Sequence, residues 1–174
     1  MKRRALAIVA VAVFATSLAW GQQATVKVQP ADQMAKFLPA TVFLDGENVP
    51  TQKRNAVLVE AGGKKAIISL IDTSGYSSAY QQKYTGVILT QGTVKLGSTS
   101  LTPGAYGFGE TKTGEQDQAV VTLHIYDIGG KELAQIPTER EKDMKGVRPL
   151  QVKVADGAAS LYLGPYHVSL APGE

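Results

Sequence analysis

Three tyrosines, Tyr76, Tyr80 and Tyr84, recur every four residues within the segment DTSGYSSAYQQKY at 72–84. That interval keeps side chains on one side of a helix, whose period is 3.6, and equally on one face of a strand, whose period is 2. A phenol has a flat apolar face and a polar rim, so three exposed rings would form a platform for a sugar ring, a polymer or a protein partner. Gln81 lies beside them as a hydrogen-bonding side chain, and Ser77, Ser78 and Gln82 make the rest of the segment polar. The segment therefore reads as a partly exposed edge or crossing loop. The competing reading is structural: the rings pack on the core and turn their hydroxyls outward.

A second possible chemistry is hydrolysis. Ser74 and Asp72, with either His124 or His167, would supply the hydroxyl, carboxylate and imidazole of a nucleophilic triad. The local pattern does not favour it. No Gly-x-Ser-x-Gly elbow is present, both histidines fall in strand-like runs, and Ser74-Gly75 has the composition of a turn. Two histidines 43 positions apart, with no cysteine, give no zinc spacing. Asp45-Gly46-Glu47-Asn48 is too short for a calcium loop. The run GAYGFG at 104–109 lacks the Lys-Ser/Thr ending and the strand-to-helix context of a phosphate loop. No metal and no cofactor is expected.

Length and charge bound the fold that carries these residues. The chain has 174 residues, 18 Lys plus Arg and 15 Asp plus Glu, with a sequence pI near 9.0. Three of the basic residues, Lys2, Arg3 and Arg4, open the chain and an apolar run follows, ending in small residues near Ala19 and Gly21. This is the layout of a signal peptide over 1–21, cleaved after Ala19 or Gly21. The apolar stretch from Ala5 to Trp20 has 16 residues, short of the roughly 20 that a spanning helix needs. Without the leader, 15 basic residues face 15 acidic ones. A neutral chain with scattered charges excludes a nucleic-acid-binding role. Export to the periplasm or beyond is expected, with no stable membrane anchor after cleavage. The absence of cysteine means that burial alone must stabilise the domain, which a chain of about 150 residues can manage.

After a lead over 22–39, with a flexible or edge-strand start and a possible short helix over 32–38, the texture is that of an all-β domain over 40–174. Short runs of β-branched residues at 41–44, 56–60, 66–71, 87–90, 93–96, 100–101, 105–108, 119–127, 132–136, 150–154, 160–163 and 166–170 alternate with turn residues. Asp45-Gly46 and Gly62-Gly63 suit turns needing positive φ, and Pro103-Gly104 suits a type II turn. Gln91-Gly92 and Gly129-Gly130 punctuate two further strand pairs. Turn signals at this spacing predict a single antiparallel β-sandwich, Ig-like or prealbumin-like.

The segment Leu101-Thr102-Pro103-Gly104-Ala105-Tyr106 resembles the L-x-P-G-x-Y element of prealbumin-like and carboxypeptidase-regulatory-like β-sandwich modules, in which it turns one strand into the next and places the Tyr in the core. More broadly, Asp72–Tyr76, Ala105–Gly109 and the stretch from Arg148-Pro149-Leu150-Gln151 to Leu161-Tyr162-Leu163-Gly164 resemble a family of small exported bacterial proteins of unknown function. That resemblance covers most of the chain after Pro39; it implies export and a β-sandwich and brings no catalytic residues with it. The expected function is a non-enzymatic binding or structural role in the cell envelope, with an envelope protein or polysaccharide as partner and Tyr76, Tyr80, Tyr84 and Gln81 as the binding set. The alternative is a secreted hydrolase using Ser74 and Asp72 with a histidine.

Overall fold

The computed structural model describes residues 26–29, 36–115 and 119–173. The expected leader, residues 1–21, lies outside them, as do residues 32–35 of the expected N-terminal helix, whose remaining residues 36–38 form a turn. Among the described residues, no helix is long and apolar enough to cross a membrane.

The described chain is all-β apart from one short helix, and its strands form two antiparallel sheets. The larger sheet has the order β1 (Lys27–Gln29), β3 (Glu47–Ala61), β4 (Lys64–Ile71), β5 (Gly86–Thr90), β8 (Gly104–Thr113), β9 (Val120–Asp127), β10 (Glu132–Pro137), with β2 (Thr41–Leu44) also paired to β3. The smaller sheet runs β12 (Leu150–Ala155), β13 (Ala158–Leu163), β14 (Tyr166–Pro172), β6 (Val94–Leu96), β7 (Thr99–Leu101), and β11 (Glu139–Arg140) adds to β14. Ile68, Ile88, Phe108, Leu123 and Ile125 from the first sheet and Leu96, Leu161, Val168 and Leu170 from the second share one buried cluster. Two sheets with their apolar faces in common are a sandwich, and burial of those faces is its main stabilisation.

Local chemistry explains most of the connections. Asp45 and Gly46 adopt φ of 53° and 85°, and Gly62 and Gly63 adopt 57° and 74°, as tight hairpins between strands of right-handed twist require. Between β9 and β10, Asp127 Oδ1 accepts from the backbone N–H of Gly129 and of Lys131, each at 2.9 Å. Two expected turns prove to be something else. Gln91-Gly92 and Pro103-Gly104 do not join paired strands; they carry the chain out of the larger sheet into β6 and back from β7 into β8. Gly104 is the first residue of β8 and has no positive φ, so the type II turn is absent. Instead the Tyr106 hydroxyl donates to the Thr102 carbonyl at 2.9 Å and ties down the corner, while its ring packs against the core.

The segment 72–84 is also not an edge or a crossing loop. It contains the helix α1 (Ser78–Lys83), capped by Ser77, whose Oγ accepts from the Tyr80 N–H at 3.3 Å. This helix lies on the outer face of the larger sheet, against β8. Pleat alternation explains how it fits. Tyr106 and Phe108 of β8 point into the sandwich, so Gly107 and Gly109 point out. A side chain on Gly107 would press into Leu44 and Tyr84, and one on Gly109 would overlap the Lys83 carbonyl oxygen. Two glycines thus leave the outer face bare where the helix and its tyrosines come down.

Candidate functional site

The three tyrosines share one side of α1 and its flanks, as the four-residue interval requires, but that side faces the sheet. Tyr84 is 1% exposed and Tyr80 8%, while Tyr76 is half-buried. The rings continue one another: Tyr76 stacks on Tyr80 with centroids 5.2 Å apart, Tyr80 meets Tyr84 at 4.7 Å, and Tyr84 meets Tyr126 edge-on at 5.2 Å. Each hydroxyl is spent on the β2–β3 hairpin. Tyr76 donates to the Asn48 carbonyl at 2.6 Å, Tyr80 to the Leu44 carbonyl at 2.9 Å, and Tyr84 to Asp45 Oδ2 at 2.9 Å. Gln81 is exposed, and its amide donates to the Tyr76 carbonyl at 2.8 Å. The expected solvent-facing platform is therefore corrected for Tyr80 and Tyr84. Gly107 and Gly109 open a seat on the sheet, and burying rings there outweighs leaving them in water.

Lys83 completes this clamp. Its Nζ donates to Asp45 Oδ2 at 2.9 Å and to the Gly130 carbonyl at 2.8 Å, and it lies 5.0 Å and 5.1 Å from the ring centres of Tyr84 and Tyr126. The hydrogen bonds from Lys83 and Tyr84 hold the Asp45 carboxyl below its ordinary range, while burial first and then the hydrogen bond to Asp45 push Tyr84 upward. A matching node sits on the other sheet. Tyr162 hydrogen-bonds to Glu141, which lowers the Glu141 carboxyl and, with burial, pushes Tyr162 up to about 12. Lys153 Nζ lies 3.4 Å from Glu141 Oε1 and 4.5 Å from the Tyr162 ring centre.

Tyr80, Tyr84, Tyr126 and Tyr162 all have raised values. An acid whose folded value is raised gives stability that is complete below its ordinary value, here 10.0, and is lost as pH climbs past it. Titration of phenolate absorbance is thus expected to show four of the seven tyrosines ionising only as near-ultraviolet circular dichroism disappears. Smooth titration of all seven near pH 10 in a folded protein would contradict the burial described.

The Ser74-based triad is not assembled. The Ser74 N–H donates to Asp72 Oδ1 at 3.0 Å, and this turn, with the Ser74 hydroxyl, lowers the Asp72 carboxyl. Neither histidine is a hydrogen-bond partner of Ser74 or Asp72: His124 is engaged elsewhere in the larger sheet, and His167 belongs to the smaller one. Among the described residues, no group of three or more His, Cys, Asp or Glu side chains could hold a metal ion.

Two surface constellations escaped sequence reasoning. The first is on the outer face of β8, β9 and β10. His124 Nε2 lies 2.8 Å from Thr111 Oγ1, and His124 Nδ1 lies 2.5 Å from Glu132 Oε1. The second is a polar groove of about 180 Å³ on the smaller sheet, lined by Gly97, Pro137, Glu139, Ser160, His167 and Ser169. It opens where the lateral partner of β14 changes from β6, along Leu170–Pro172, to β11, along Tyr166 and His167. Register puts Gln151, Tyr162, His167 and Glu139 in one row and Lys153, Ser160 and Ser169 in the next. Inward Leu161, Val168 and Leu170 alternate with these, so the outer face is polar. Gln151 keeps its buried Nε2 without a partner among the described residues, a donor that the fold does not consume. The alternation of His124 with Val121, Leu123 and Ile125, legible in the sequence, already turned that imidazole outward; Thr111 and Glu132 could be found only from strand register.

No family model, curated protein or solved structure matches the chain. The class that the geometry defines is a two-sheet antiparallel sandwich with a clamped hairpin on one outer face and a polar groove on the other.

Proposed function

We propose that the chain is an exported β-sandwich binding module of the cell envelope, and that its ligand is an uncharged polysaccharide held in the groove of Glu139, Ser160, His167 and Ser169. The observation that carries this reading is the groove itself: residues bearing two hydroxyls, an imidazole and a carboxylate line one concavity together with Gly97, Pro137 and Val168. Such groups exchange hydrogen bonds with sugar hydroxyls. About 180 Å³ is below the roughly 300 Å³ at which pockets for drug-sized ligands begin, and suits one unit of a polymer. A protein partner would call for roughly 800 Å² of surface per side, far more than the groove offers. Glu139 disfavours an anionic polymer, and the balance of 15 basic and 15 acidic residues outside the leader gives no long-range pull toward one. Export rests on the basic start and the apolar run.

Retention on insoluble and soluble envelope polysaccharides tests the reading. Ser169 is exposed, so Ser169→Leu fills the groove without touching the core. Together with His167→Ala it is expected to weaken binding at least about tenfold, or ~1.4 kcal/mol. Replacing Gln81 with Ala is expected to leave binding unchanged. Equal retention by wild type and both groove variants, with folding intact, would remove the groove from the account.

A further inference from the structure

His124 stands between an alcohol and a carboxylate. Glu132 accepts a hydrogen bond from the ring, which together with a hydrogen bond from Gln135 lowers its carboxyl and keeps it ionised. An ionised carboxylate can only accept, so the proton between them is on Nδ1. In the neutral imidazole Nε2 is then a bare acceptor, and the Thr111 hydroxyl, 2.8 Å away, must donate to it. With Glu132 ionised, this tautomer is the one that satisfies both contacts of a neutral ring. It is also the arrangement in which a base draws a proton from a nucleophilic hydroxyl while a carboxylate fixes the ring.

The three groups come from β8, β9 and β10, each hydrogen-bonded to the next, so a rigid sheet holds them in place. Stacking on Tyr126, with ring centres 6.3 Å apart and planes 13° from parallel, fixes the imidazole further. The His124 side chain is 13% exposed whereas Thr111 is open to solvent, so the alcohol is the accessible member. The hydrolase alternative read from the sequence placed its hydroxyl on Ser74, whose N–H donates to Asp72; the alcohol within hydrogen-bond distance of His124 is Thr111.

We infer that Thr111, with His124 as general base and Glu132 as its positioning carboxylate, is an acyl-accepting nucleophile for esters with a good leaving group. Thr111 Oγ1 attacks the ester carbonyl carbon and forms a new C–O bond as its proton passes to His124 Nε2. The tetrahedral adduct collapses, the bond from the acyl carbon to the leaving oxygen breaks, and that oxygen departs with the proton from Nε2. Water then attacks the acyl-threonine, passing its proton through His124 back to Thr111 Oγ1 and releasing the carboxylic acid. No oxidant or reductant enters. A secondary alcohol is a modest nucleophile, which restricts the substrate class to activated esters such as aryl esters. This site lies on the opposite sheet from the groove and does not rest on the polysaccharide reading.

The chain without its leader is to be incubated with p-nitrophenyl acetate and, separately, with a fluorophosphonate, with nitrophenolate release followed and adducts mapped by mass spectrometry. The expected result is one adduct, on Thr111. It should be absent in Thr111→Val, which keeps the β-branched shape, and form faster in Thr111→Ser, whose primary alcohol is less hindered. His124→Gln is expected to slow it about 100-fold, and Ser74→Ala to leave it unchanged. Circular dichroism confirms folding of each variant. No adduct on Thr111 in wild type or Thr111→Ser overturns the inference, as does labelling that persists in Thr111→Val or at an unchanged rate in folded His124→Gln.

Discussion

Gly109→Ala is expected to lift α1 from the larger sheet and to lower the unfolding free energy by about 3 kcal/mol. The added methyl would occupy the space of the Lys83 carbonyl oxygen, which is backbone and cannot swing aside. Either β8 bends or the helix moves, and movement of the helix pulls on everything tied to its last turn. Lys83 would lose its position between Asp45 and the Gly130 carbonyl, and Tyr84 its seat over Gly107. Gly75→Ala is the control: a methyl there meets nothing within 4 Å, and the change should stay within about 0.5 kcal/mol. Urea unfolding of both variants makes the comparison. Equal midpoints would mean that helix and sheet are not in the contact described.

Removal of the Tyr84 ring should cost still more. It is among the largest fully buried side chains and touches Tyr80, Tyr126, Leu44 and Lys83, with a hydroxyl on Asp45. Tyr84→Ala leaves a ring-sized cavity under the hairpin and is expected to destabilise by about 3–5 kcal/mol. Tyr84→Phe keeps the ring and deletes one donor to a carboxylate, for a loss of about 1–2 kcal/mol. The hydroxyl deletion should also show in the acid limb. Asp45, held below its ordinary value of 3.8, contributes stability present above that value and lost as pH falls beneath it, and losing the Tyr84 donor shrinks the contribution. A Tyr84→Ala protein as stable as Tyr84→Phe would show that the ring lies in solvent, as a binding platform requires.

What the sequence could reveal divides along the range of the interactions involved. Asp45-Gly46 and Gly62-Gly63 were legible as hairpin turns because positive φ is a local demand of two residues. The alternation in 120–127 was legible because a pleat repeats every second residue. Gln91-Gly92 and Pro103-Gly104 misled because their composition marks a change of direction but not which sheet receives the next strand; that is settled by β6 finding β14, more than 60 residues later. The helix α1 has six residues, too few for a periodicity to register. The orientation of the tyrosines was hidden for a similar reason. Their interval fixes that they share a side, whereas Gly107 and Gly109, on a different strand, decide that this side is covered. Thr111, His124 and Glu132 meet only through the register of three strands, as do Glu139, Ser160, His167 and Ser169.

We propose that recognition belongs to the groove of the smaller sheet, whereas Tyr80 and Tyr84 are internal structure. A chemical-shift map of the labelled chain, titrated with soluble fragments of uncharged polysaccharides, tests this directly. Saturable shifts are expected at Glu139, Ser160, His167 and Ser169, with α1 and its tyrosines unmoved. Shifts centred on Tyr76, Tyr80, Tyr84 and Gln81, with the groove silent, would contradict it.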